Sequence, residues 1–140
     1  MSSIEQKPPL RVLLVEDYVD LAEVTADLLR GEGLDVRIAT SGREALAIAG
    51  AFRPQLLLCD LNLPDMTGLD VIRRLRSDPA TEAIYVAILT AMQKSELPRQ
   101  SDTGQARVDA FVSKPLTPRA IRTLIETLGV RPVSNPASRK

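Results

Sequence analysis

The chain has no histidine, one cysteine, and only two Tyr and two Phe. Without imidazole there is no histidine metal site, no Ser-His catalysis and no phosphohistidine formed on this polypeptide. A lone cysteine excludes an internal disulfide, and Cys59, set in an apolar run, reads as a small buried hydrophobe. There is also no excess of either charge. Lys and Arg total 18 and Asp and Glu total 18, so no global field favours nucleic acid or an anionic membrane, and neither is an expected partner. No stretch approaches the ~20 apolar residues of a membrane span, and the polar start before Leu10 lacks the apolar core of a secretory signal. These absences point to the cytoplasm.

What is present suits one globular domain: 140 residues, 44% hydrophobic and 26% charged. Strand-like and helix-like segments alternate along it. Leu10 to Glu16 is a continuous apolar run of the kind a strand buried on both faces requires. Leu21, Val24, Leu28 and Leu29 then recur at helical spacing up to Gly31-Glu32-Gly33, where a glycine can take the left-handed cap conformation. Leu34 to Ala39 reads as a second strand. Ser41 and Glu44 fit a capping box opening a helix that runs to about Phe52, ahead of Pro54. Gln55 to Asp60 is a third strand. Leu69, Ile72 and Leu75 mark a third helix ended by Ser77-Asp78-Pro79. Ile84 to Thr90 and Asp109 to Ser113 are the last two strands, and Ile121, Leu124, Ile125 and Leu128 stripe the last helix. Five strands alternating with helices predict an α/β fold, a doubly wound parallel sheet in the flavodoxin-like order 2-1-3-4-5. The domain is expected to span residues 10–128, with flexible tails at 1–9 and 129–140.

Four of these strands end on polar residues: Glu16-Asp17, Asp60, Thr90 and Lys114. In a parallel sheet the C-terminal strand ends open onto one crevice, so these residues can share a pocket. Three carboxylates, a hydroxyl and an ammonium suit a hard divalent cation and a phosphoryl group. Together with the run Asp60-Leu-Asn-Leu-Pro-Asp-Met-Thr-Gly68, Thr90-Ala91 and Lys114-Pro115, they make the chain resemble the response-regulator receiver domain of two-component signalling (CheY-like) over about residues 10–128.

The resemblance implies a role for each residue. Asp60 would be the phosphoacceptor, attacking the phosphorus of a phosphohistidine on a histidine kinase or phosphotransfer protein. Asp17 and Asp60 would hold Mg²⁺ directly, Glu16 through a water, and Asn62 through its backbone carbonyl. Lys114 would pair with Asp60 at rest and with the phosphoryl group afterwards, aimed by a cis Lys114-Pro115 bond. Thr90 would move its hydroxyl onto the phosphoryl group, and Phe111 occupies the place of the switch aromatic. Such a protein is no enzyme beyond its own phosphorylation and dephosphorylation. It would signal to a downstream protein partner as a monomer or weak homodimer, either standing alone or as part of a hybrid kinase.

One stretch departs from that pattern. Between Thr90 and Asp109 a helix is expected, but Pro98 and Gly104 disfavour a continuous one and few apolar residues offer it a buried face, so it should be short, displaced or mobile. Arg107-Val108 replaces the glycine common before the last strand, with no physical reason visible in the sequence. Two rival functions remain: a haloacid-dehalogenase-type phosphohydrolase, and a receiver-like binding module independent of phosphate. The first needs an acid two residues after the nucleophile, where this chain has Asn62. Against the second, no pocket residue is missing.

Overall fold

The computed structural model describes residues 8–91 and 106–129. Within them the order is β1 (Arg11–Val15), α1 (Val19–Gly31), β2 (Asp35–Ala39), α2 (Gly42–Phe52), β3 (Leu56–Asp60), α3 (Gly68–Arg76), β4 (Tyr85–Thr90), β5 (Ala110–Ser113) and α4 (Pro118–Gly129). All strand pairs are parallel, in the order β2-β1-β3-β4-β5, as the alternation predicts. Strand and helix bounds fall within a residue or two of those expected. Gly129 is the last residue of α4. The remaining tail residues, apart from exposed Pro8 and Pro9, and most of the segment expected to hold a short helix before β5 lie outside the described residues.

The continuous apolar runs have a direct cause in the two-sided core. Alternate residues of a strand face opposite ways. Leu13, Val15, Leu57, Cys59, Val86 and Ile88 therefore pack under α2 and α3, with Ala45, Ala49, Val71 and Ile72. Val12, Leu14, Leu56, Leu58, Ala87 and Leu89 face α1 and α4, meeting Ala26, Leu29, Ile121 and Leu124. Ala106 and Val108, just after the undescribed segment, are fully buried in the first of these cores. That burial gives the Val108 side chain a packing role.

The helix starts differ from expectation in one detail. Ser41 caps α2 by accepting from the Glu44 amide at 3.1 Å, but the Glu44 carboxylate reaches back past Ser41 to the Thr40 amide at 2.7 Å. A complete capping box appears instead at α3. There Thr67 Oγ1 accepts from the Asp70 amide at 3.1 Å and Asp70 accepts from the Thr67 amide at 3.2 Å. After α1, Gly33 takes the left-handed conformation at φ 89° that the turn into β2 requires.

Candidate functional site

The strand order places the C-terminal ends of β1 and β3 side by side at the centre of the sheet, with β4 and β5 following outward. Glu16 and Asp17 follow β1 directly and Asp60 ends β3. One carboxylate oxygen from each of these three lies within 4.8 Å of the others. The span of two opposed oxygens around Mg²⁺ is about 4.2 Å, twice its ~2.1 Å bond, so this donor set fits a hard octahedral ion after small side-chain adjustments. Asp17 is exposed, while the Asp60 side chain is 13% exposed and that of Glu16 4%. The cluster therefore has a solvent side and a buried side.

Lys114, immediately after β5, enters from the buried side. Its Nζ donates to Asp60 Oδ2 at 2.9 Å and to Glu16 Oε1 at 3.0 Å, and the bond to Pro115 is cis. Burial disfavours the ammonium, but the hydrogen bonds and charges of Asp60 and Glu16 outweigh it and hold the Lys114 pKa above its ordinary value. Both Glu16 oxygens are engaged, since Oε2 accepts from the Tyr18 amide at 3.1 Å. Sequence reasoning assigned Glu16 only to the cation and missed its pairing with Lys114. Nothing in the local sequence links residues 98 apart.

Thr90, the last residue of β4, is 6% exposed, and its carbonyl accepts from the Lys114 amide at 2.7 Å. That bond fixes the end of β5 against the end of β4. Beside it Ala91 is exposed and small. Phe111 in β5 is half-buried against the core under α2 and α3. Next to Asp60, the Cys59 thiol is buried and donates to the Asp60 carbonyl at 3.3 Å. Burial first, then the Asp60 and Glu16 charges, push its pKa far up, so it is an inert packing group.

The loop from Asp60 to Gly68 is closed at its base. Gly68 donates to the Leu61 carbonyl at 2.7 Å, Asn62 and Thr67 form an antiparallel bridge, and the Asn62 amide donates to Asp60 Oδ1 at 3.3 Å. A Cβ on Gly68 would stand 2.3 Å from the Asp60 carbonyl oxygen, so glycine is what lets the helix start this close to Asp60. Asp65, further along the loop, accepts from the amides of Gly42 at 2.8 Å and Arg43 at 2.9 Å. Those two amides hold its carboxyl below the usual carboxylate range. Asp65 lies in the run Asp60 to Gly68 that carries the resemblance but has no role assigned there, and no spacing rule foretells a cap 23 residues away.

Comparison with known proteins agrees with this geometry. The family model described as the response regulator receiver domain matches residues 12–126. The DNA-binding response regulator MtrA of Mycobacterium tuberculosis is 35% identical over 111 residues, covering 79% of this chain but 46% of that protein. The chain thus spans about half the length of several curated relatives it matches. The polar-differentiation response regulator DivK of Brucella anthropi is 34% identical over 123 residues, covering 86% of this chain and 98% of DivK. Among solved structures, a CheY-like response regulator receiver domain protein from Methanospirillum hungatei superposes with a TM-score of 0.74 at 28% identity, over 86% of this chain and 94% of that one. By sequence and by fold alike, the chain belongs to the response regulator receiver domain family.

Proposed function

We propose that Asp60 accepts a phosphoryl group from the phosphohistidine of a histidine kinase or phosphotransfer protein, and that the resulting acyl phosphate switches the domain toward a downstream protein partner. One observation carries this reading: three carboxylates and one ammonium converge at the C-terminal ends of β1, β3 and β5. A carboxylate oxygen of Asp60 attacks the phosphorus, the P–N bond breaks, and its electron pair leaves with the imidazole of the donor. Asp17 and Asp60, with Glu16 behind them through a water and the Asn62 carbonyl beside them, are the residues that would hold Mg²⁺. The ion's chemistry is to neutralise charge on the carboxylates and on the transferring group.

The switch follows from contacts that exist only with phosphate present. Once Asp60 carries the phosphoryl group, Lys114 exchanges its bond to Oδ2 for one to a phosphoryl oxygen, and Thr90 donates its hydroxyl to another. Both residues sit at the ends of outer strands, so the exchange draws those ends toward Asp60, and Phe111 on β5 moves with them. The chain acts in this reading as a cytoplasmic signalling module and transforms no metabolite. DNA binding belongs to the name of MtrA, and the matched charges of this chain give no reason to extend it here.

Incubation with acetyl phosphate and Mg²⁺, followed by intact mass measurement, tests the reading. The expected result is a gain of one phosphoryl group in the wild type and none in Asp60→Asn. Turnover of added phosphoesters would favour a hydrolase, and an unchanged wild-type mass would defeat the proposal.

A further inference from the structure

Asp65 joins two parts of the molecule that the cation site needs in register. The loop it belongs to is closed at its base on Asp60, through the Gly68 to Leu61 bond and the Asn62–Thr67 bridge. Its tip is docked on the start of α2 by two charge-assisted bonds, from Gly42 to Oδ1 and from Arg43 to Oδ2, at a helix end whose dipole favours an anion. Met66 packs over the same spot, so closely that a Cβ on Gly42 would stand 2.4 Å from its Cγ.

The corner that receives Asp65 also holds the acidic pair. The Glu16 amide donates to the carbonyl of Ala39 at 3.0 Å, three residues before Gly42. Glu16 on one side, through Ala39, and the acceptor loop on the other, through Asp65, are therefore both tied to the segment Ala39 to Arg43, while strand pairing fixes Asp60 itself. The two Asp65 bonds complete the cap of α2, and because they come from the acceptor loop they also tie that loop to the helix start. Ser41 takes the Glu44 amide and Glu44 takes the Thr40 amide.

We infer that Asp65 is a positioning residue for the divalent cation: it clamps the acceptor loop to the α2 corner so that Asn62 stays in register with Asp17 and Asp60. The inference rests on the reading of this cluster as a Mg²⁺ site. Without the clamp the base of the loop, closed by the Asn62–Thr67 bridge, is no longer tied to the α2 corner, and Asn62 can shift with the whole loop relative to Asp17. Loss of an outer support of this kind weakens metal affinity by about tenfold or more.

The test compares Asp65→Ala, Asp65→Asn and Ser41→Ala by calorimetric titration with MgCl₂, alongside thermal melting without metal and amide exchange at Gly42 and Arg43. Asp65→Ala should weaken Mg²⁺ binding roughly tenfold and expose both amides to exchange. Asp65→Asn, which keeps one accepting oxygen, should fall between it and the wild type, and serves if the alanine variant does not fold. Ser41→Ala should lower the melting temperature while leaving Mg²⁺ affinity unchanged. If the Asp65 variants melt lower but bind Mg²⁺ as tightly as the wild type, Asp65 is only a second cap and the inference is wrong. A wild type that binds no Mg²⁺ would overturn the metal reading itself, and the inference with it.

Discussion

Each end of the sheet carries a cation–carboxylate pair, and the two differ in how completely they are satisfied. At the N-terminal end the Arg76 guanidinium, 6% exposed, donates to the carbonyls of Glu82, Ile84 and Arg107 and to Asp109 Oδ2 at 3.0 Å. The same Asp109 oxygen accepts from the Val86 amide at 2.8 Å. The partners of Arg76 lie in the α3–β4 connection and just before β5, so that end is closed. At the C-terminal end, Lys114 faces Glu16 and Asp60 with Asp17 beside them, three negative charges against one positive, leaving an excess of two. A rigid fork among neutral carbonyls holds a structure together, whereas a compact ammonium among surplus carboxylates leaves a site that still attracts a cation.

Breaking each pair should expose that difference. The largest effect is expected for Arg76→Ala, which leaves the Asp109 carboxylate without its cation and should cost about 3 kcal/mol in urea unfolding. Millimolar Mg²⁺ should not restore it. Lys114→Met should cost somewhat less, about 2 kcal/mol, because the lysine side of its pair is 23% open to solvent, and Mg²⁺ should restore that loss by neutralising the same carboxylates. The folded pKa of Lys114 lies above its unfolded value, so its contribution is fully present below about pH 10.4 and fades as pH rises through the folded pKa. The gap between wild type and Lys114→Met should close over that alkaline range.

The smallest effect belongs to the exposed start of α3. The Thr67 backbone amide, the Thr67 hydroxyl and Arg73 hold the exposed Asp70 carboxyl below the usual carboxylate range. Its contribution is present above about pH 3.9 and disappears as pH falls through the lowered folded value. Asp70→Asn should therefore be slightly less stable than wild type at neutral pH and equal to it in acid, as read from melting temperatures across an acid series.

The sheet was legible in the sequence because its central strands β1, β3 and β4 are buried on both faces, so Val12 to Val15 and Leu56 to Cys59 stand out as unbroken apolar runs. The polar cluster was legible because parallel topology sends every strand's C-terminal residue to one crevice. The supports around it were harder to see. Arg76 sits four residues after Ile72, on the apolar stripe of α3, a place where a charge signals a buried partner, but Asp109 is 33 residues away. Asp65 and its Gly42 and Arg43 partners are joined across different elements, as are Glu16 and Lys114. Such links depend on loop paths that periodicity does not encode. Local rules also misplace short caps: Glu44 reaches Thr40, while the box signature is met by Asp at position 70.

The surplus of negative charge at the C-terminal end is most directly tested by the melting temperature with and without Mg²⁺. If the three carboxylates are a cation site, Mg²⁺ at ten times its dissociation constant should add about 1.4 kcal/mol, a rise of several degrees for a domain of this size. Asp17→Asn should abolish most of that rise. A wild-type melting temperature that does not move at saturating Mg²⁺ would contradict the account.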